Sequence, residues 1–185
     1  KRAEKLHLAL TEKMIAKARA NADKLGFNNI EFRLGDIENL PLAANVADVV
    51  VSNCVLNLVP DKAQAFAETF RILKRGGHFS VSDIVLKGEL PEGLKKSAEM
   101  YAGCVSGAID KFSYLSIIKK AGFASIDVQK ERRITIPNEI LSLYLNASEM
   151  ERYSTGEIGI YSITVYAEKP VEQKESCCGP DCCSN

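Results

Sequence analysis

The sequence has no tryptophan, only two histidines among 185 residues, and no surplus of either charge, with 24 basic and 24 acidic side chains. Balanced charge leaves no global basic field to draw nucleic acid or anionic lipid, so neither is expected as a partner. No apolar run approaches the roughly 20 residues that span a bilayer, and no basic segment followed by a long apolar one opens the chain. The expected compartment is the cytoplasm. His7 has no histidine or cysteine near it in sequence, so it reads as an exposed or strand-satisfied residue rather than a ligand. Cysteine is nearly absent from the body of the chain, where only Cys54 and Cys104 occur; the other four, Cys177, Cys178, Cys182 and Cys183, fall within seven residues of the tail. This is not a spaced disulfide framework. Adjacent cysteines hold their Cα atoms about 3.8 Å apart, short of the roughly 4.4 to 6.8 Å that a disulfide prefers. Reduced thiols available to a soft metal or metalloid fit the pattern better.

What is present is an ordinary globular composition, 46% apolar, in a length that suits one domain. Residues 5–10 alternate as a short strand. Thr11 then caps a helix over 12–25, with Met14, Ile15, Ala18 and Leu25 available for its buried face and Gly26 as its stop. Residues 30–34 form a second strand, followed by Gly35, Asp36 and Ile37. In 47–52, Val49, Val50 and Val51 follow one another without alternation, which predicts a strand buried on both faces, as in a parallel sheet. Asp61 and Gln64 cap a helix running to about residue 74, and Gly76 and Gly77 stop it before a strand over 78–85. Strand, helix, strand, helix, strand implies right-handed crossovers.

Further on, a helix is expected over 92–106, carrying Cys104, and another over 113–121. A strand over 125–136 and a short helix over 138–146 follow. The strong alternation of 158–167 predicts an antiparallel strand at or near a sheet edge. From Pro170 the chain is polar and aperiodic, and a disordered tail is expected.

Asn53 and Cys54 stand just past the carboxyl end of the valine strand, the edge at which open α/β sheets bind ligands. A lone cysteine is more often packing than chemistry. The wider pattern changes that balance. Gly35-Asp36-Ile37, the stretch Asp48 to Leu58, and Leu73-Lys74-Arg75-Gly76-Gly77 together resemble the class I S-adenosylmethionine-dependent methyltransferases. More narrowly, Asn53-Cys54-Val55-Leu56-Asn57-Leu58 with Pro60-Asp61-Lys62, Cys104 within residues 101–108, and the terminal paired cysteines resemble the arsenite methyltransferases. The resemblance covers about residues 11–185.

It implies a Rossmann-like, doubly wound, mostly parallel α/β sheet. It also implies S-adenosylmethionine as cofactor, with Asp36 on the adenine amino group, Ile37 against the ring and Asn53 beside the methionine end. Cys54 and Cys104 would bind As(III), whose softness suits thiolate sulfur, and an arsenic lone pair would take the sulfonium methyl. On residues alone, Asp36 and Asn53 also read as turn or cap residues, and Asp83 as a loop or cap residue. The tail cysteines read equally as part of turnover and as a separate scavenger. The implied partners are As(III) or methylated arsenicals as thiol conjugates.

The pattern also departs from that family. No glycine-rich loop of the G-x-G type is present, and the acidic position that takes the ribose falls on Ala9. With Lys1 in place of methionine, these gaps predict a chain lacking the family's first strand. Its sheet would be left with an interruption and its cofactor site impaired, and self-association is one way to complete the sheet. The expected organisation is a domain over 1–168, with 86–111 a substrate-side insertion carrying Cys104, and a tail over 169–185. A non-catalytic thiol protein for As(III) or another soft ion, or an inactive fragment, is the alternative. A methyltransferase for a small organic substrate is a third reading, favoured if Cys104 lies far from Cys54.

Overall fold

The computed structural model describes residues 5–9, 11–99, 105 and 107–171. Its elements run β1 (Lys5–Ala9), α1 (Glu12–Leu25), β2 (Ile30–Leu34), β3 (Ala47–Asn53), a 3-10 turn (Leu56–Leu58), α2 (Lys62–Ile72), β4 (Leu73–Lys87), α3 (Glu92–Glu99), α4 (Lys111–Lys120), β5 (Ala124–Arg133), α5 (Asn138–Tyr144), α6 (Ala147–Ser154) and β6 (Gly159–Glu168). The strands form two sheets. β1 and β2 pair in parallel, and β3, β4, β6 and β5 follow in that order, with β3 parallel to β4 and both pairs made by β6 antiparallel. The α/β class and both parallel strand-helix-strand units are those expected.

Local chemistry explains most boundaries. The Thr11 hydroxyl accepts from the Met14 amide, and Gly26, at φ 70°, closes α1 in the left-handed conformation that glycine adopts without steric cost. The buried face of α1 is narrower than the sequence suggests. Ile15 and Ala22, seven residues apart, are buried, whereas Met14 and Leu25 are 54% and 67% exposed, because α1 has only a two-stranded sheet to cover. Asp61 Oδ1 accepts from the Gln64 amide, starting α2 as expected. α2 ends at Ile72, and the polypeptide enters β4 directly through Gly76 and Gly77. A Cβ on Gly77 would lie 2.9 Å from the carbonyl oxygens of both Asp48 and Lys74, so close strand approach requires glycine there.

One strand differs from expectation. The valine strand is not buried on both faces: Val50 packs on the first core cluster, while Val49 and Val51, on the opposite face, are 49% and 76% exposed. β3 also stands at the end of the four-stranded sheet, with β4 on one side and no described strand on the other. β6 is antiparallel, as expected, and lies one place in from the edge strand β5, with Ile160, Ile163, Val165 and Ala167 fully buried. α6 is an addition to the expected elements. Asn146 and Glu149 start it with a reciprocal capping box, each side chain accepting from the other's backbone amide.

The core has two parts. One packs α2 and α4 on β4 and β6 around Phe66, Phe79, Tyr114 and Phe123, with edge-to-face ring pairs at 5.6 Å (Phe66 and Tyr114) and 4.7 Å (Phe79 and Phe123). The other gathers α3, α5 and α6 against Ile84, Leu86, Ile158 and Ile160 and includes Val105. The segment between β2 and β3 is pinned to α2. Glu68 Oε2 accepts from the Leu40 amide at 2.8 Å, and Arg71, bonded to Glu68, also donates to the carbonyls of Leu40 and Leu42. At the far end of α2, the Lys169 ammonium donates to the carbonyls of Phe70 and Leu73 and to Asn45 Oδ1, and lies 4.7 Å from the centre of the Phe70 ring. Replacing Lys169 with methionine leaves those helix-end carbonyls without that donor. It should lower unfolding free energy by about 1–3 kcal/mol in urea denaturation; a change below about 0.5 kcal/mol, on the order of an exposed lysine's contribution, would contradict this role.

Candidate functional site

β3 delivers Asn53, exposed, at its last position and Cys54 immediately after it. Cys54 adopts φ 56°, one of three non-glycine residues in the left-handed region among the described residues, at a cost of roughly 1–2 kcal/mol. The backbone around it is tied down. The Cys54 amide donates to the Ser82 carbonyl of β4 at 2.7 Å, and the 3-10 turn closes with Leu58 and Val59 donating to the carbonyls of Val55 and Leu56. Cys54 is half-buried, carries a thiol and packs against the second core cluster. The Lys62 ammonium turns back under this segment and donates to the carbonyls of Val59 (3.1 Å) and Asn57 (3.4 Å).

Beneath the turn lies a polar group whose place differs from the sequence expectation. Asp83 is neither loop nor cap. It sits within β4, 1% exposed, and its Oδ2 accepts from the Tyr114 hydroxyl at 2.6 Å. Burial pushes its carboxyl up to about 6, against the opposing pull of the Tyr114 hydroxyl, the Lys62 ammonium and the Asn57 backbone amide. Burial likewise pushes the Tyr114 phenol up, aided by the negative charge of Asp83 and, to a lesser degree, of Cys54. Burial lowers Lys62, which the charge of Asp83 partly offsets. Asn57 is 2% exposed, and both its side-chain polar atoms, like Asp83 Oδ1, have no hydrogen-bond partner among the described residues. The signal is present in the sequence: Asp83 falls in the alternation of Phe79, Val81 and Val85 on the buried face of β4, and a carboxylate there needs partners brought by other elements.

Cys104 and the tail cysteines Cys177, Cys178, Cys182 and Cys183 lie outside the described residues, as does most of the second half of the helix expected over 92–106. The described neighbours of Cys104 can be placed. Val105 is buried in the same core cluster that Cys54 packs against, and a Cβ on Gly107 would lie 1.6 Å from the Asn57 carbonyl oxygen. Only glycine permits that approach, which seats the segment leading to β-bridge residue Asp110 on the turn after Cys54. Among the described residues, no three His, Cys, Asp or Glu side chains cluster as a metal site.

Asp36 follows β2, exposed, and its Oδ1 accepts from the Glu38 amide at 2.9 Å, so it does act in a turn. Ile37 is half-buried and packs on the first core cluster. The turn they form is docked to the start of α2, where Glu38 Oε1 accepts from the Asp61 amide and the Glu38 carbonyl accepts from Gln64. The Asp36 turn and the Cys54 turn therefore flank the same helix start.

At this turn an exposed carboxylate and an apolar side chain are adjacent, a pairing whose chemistry fits a nucleobase. Two cavities among the described residues lie elsewhere: one of about 220 Å³ is lined by Arg133, Ile136, Leu141 and Tyr153 among others, the other of about 350 Å³ by Asn45, Phe70, Arg75, Lys169 and Pro170. Among the described residues no glycine-lined cradle for ribose and methionine adjoins Asn53, so the donor half of the site fits the cofactor only in part.

Known proteins share this geometry. The fold is that of the S-adenosylmethionine-dependent methyltransferases. The chain belongs to that family: residues 8–122 match the methyltransferase domain. It is 34% identical over 161 residues to the arsenite methyltransferase of Halobacterium salinarum, covering 87% of this chain and 39% of that protein. To the human arsenite methyltransferase it is 38% identical over 124 residues, 64% of this chain and 33% of that one. The chain thus spans about two fifths or less of these relatives. Its fold superposes on CrArsM, an arsenic(III) S-adenosylmethionine methyltransferase from Chlamydomonas reinhardtii, with a TM-score of 0.70 at 29% identity, covering 91% of this chain and 56% of that one. A TM-score of 0.73 to the YcgJ protein of Bacillus subtilis, at 17% identity over 90% of this chain and 82% of that one, shows the fold alone.

The buried carboxyl makes a pH prediction. Because folding raises Asp83 from 3.8 to about 6, its burial is tolerated below pH 3.8 and costs progressively more stability as pH rises through 6. Urea denaturation of the parent and of Asp83→Asn between about pH 4 and pH 7 should show the parent losing up to about 3 kcal/mol relative to the variant. Parallel pH profiles would contradict the assignment.

Proposed function

We propose that this chain handles As(III) as part of an arsenite methyltransferase, with Cys54 and Cys104 as the thiolate ligands and methylation by S-adenosylmethionine as the reaction it serves. The carrying observation is Cys54 itself. A thiol at the carboxyl end of a parallel strand, held in left-handed backbone conformation beside a segment pressed close by Gly107, has the placement expected of a site residue. Trivalent arsenic is soft and favours sulfur, and bringing two thiolates together would hold it in one orientation for attack. The names of the relatives support the same reading.

On the donor side, Asp36 and Ile37 would take the adenine, and Asn53 would face the methionine end. No glycine-rich loop of the G-x-G type occurs in these residues, so arsenic binding is tested apart from turnover. Self-association that adds a strand beside β3 would pair its open edge. A reducing cytoplasm would keep the thiols available, and the paired tail cysteines would offer further thiolates.

The second reading, an As(III)- or soft-metal-binding thiol protein without turnover, is separated by assay. Isothermal titration of As(III) into a variant with Cys177, Cys178, Cys182 and Cys183 replaced by serine should show one-to-one binding. Adding Cys54→Ser or Cys104→Ser should weaken it at least about 100-fold, as expected when one of two ligands to a soft centre is lost. Undiminished affinity after either added substitution would overturn the ligand assignment. Methylated arsenicals formed with S-adenosylmethionine and a thiol reductant would favour the methyltransferase; stoichiometric binding without them would favour the binding protein.

A further inference from the structure

We propose that Asp83 and Tyr114 are positioning residues for the Cys54 thiol, acting through the turn that follows it. The consequence for arsenic rests on the reading of Cys54 given above, but the positioning does not.

Three elements meet under that turn. β4 contributes the Ser82 carbonyl, which holds the Cys54 amide, and then Asp83, the next residue, whose carboxylate binds the Tyr114 hydroxyl of α4 at 2.6 Å. The start of α2 contributes Lys62, whose ammonium binds the carbonyls of Asn57 and Val59 while interacting with the Asp83 charge. Asp83, Tyr114, Lys62 and Cys54 are the titratable groups that interact here, and the first three are almost fully buried. Of the turn's own side chains, Leu56 and Val59 are buried in the first core cluster with Tyr114, whereas the Asn57 amide group has no partner among the described residues. Its shape is therefore set from below, where one carboxylate oxygen is held by the phenol and the ammonium that closes the turn interacts with the carboxylate charge. With that carboxylate unable to accept a hydrogen bond, the left-handed conformation at Cys54 loses its brace. The thiol then leaves its half-buried seat on the second core cluster.

The test needs no arsenic. In a chain with Cys104, Cys177, Cys178, Cys182 and Cys183 replaced by serine, Cys54 is the only thiol, and its alkylation by iodoacetamide is followed at fixed pH. Asp83→Ala should accelerate the reaction at least fivefold and Tyr114→Phe at least threefold. Asp83→Asn should stay within twofold of the parent, because its amide oxygen still accepts from Tyr114. A residue that merely stabilised the fold would lower the melting temperature without this separation of asparagine from alanine. Should Asp83→Ala fail to fold, Tyr114→Phe, which keeps the buried ring, decides alone. An alkylation rate within twofold of the parent in a folded Tyr114→Phe chain overturns the proposal. A changed rate in a protein whose parent binds no As(III) upholds positioning and rejects the arsenic reading.

Discussion

The hydrogen bond from Tyr114 to Asp83 joins the middle of the sheet to the helix packed on it, at the level where the parallel strands end. A carboxylate in this setting is costly unless it is satisfied, and the groups that favour it come from other elements: the phenol that bonds it from α4, the ammonium of Lys62 at the start of α2, and the backbone amide of Asn57 in the turn after β3. Around this polar centre the packing is otherwise apolar, with Phe66 and Phe79 to one side. The result is a rigid floor under an exposed edge, which is how α/β proteins present a site on loops carried by a stable scaffold.

Much of this is legible in the residues. Thr11, Gly26, Asp61 and Gly77 mark boundaries because caps and left-handed or close-approach positions demand particular side chains, and those demands are local. The position of Cys54 beyond a valine strand is equally readable. Which strand neighbours which is not. Val49 to Val51 have the composition of a strand covered on both faces, yet only the face of Val50 is covered and that of Val49 and Val51 is open. The alternation of β6 is the same whether it borders the sheet or lies inside it, since alternation reports a difference between faces and not the occupancy of edges. Asp83 reads as a loop or cap residue for a related reason: its role comes from Tyr114, 31 residues away, and no local rule connects them. The capping box of α6, by contrast, is a local signal carried by Asn146 and Glu149, and the expected helix over 138–146 ran across it.

Family membership rests on a match spanning most of the central fold, and the arsenite methyltransferases among the relatives share about a third of their aligned residues with this chain. The geometry adds a thiol in strained backbone at the carboxyl edge of the sheet, and a glycine, Gly107, that lies against the turn following it. After β2 an exposed carboxylate and a half-buried isoleucine are adjacent, and among the described residues no glycine-lined cradle adjoins Asn53. The turn after β2 and the turn after β3 are different parts of the chain, and the roles proposed for them can be tested apart.

X-ray absorption at the arsenic edge, on As(III) bound to the chain with its four tail cysteines replaced by serine, tests the central claim most directly. The account predicts arsenic held by two protein sulfurs, with one sulfur lost from its coordination in Cys54→Ser. Coordination by oxygen alone, or a sulfur count unchanged when Cys54 is removed, would contradict it.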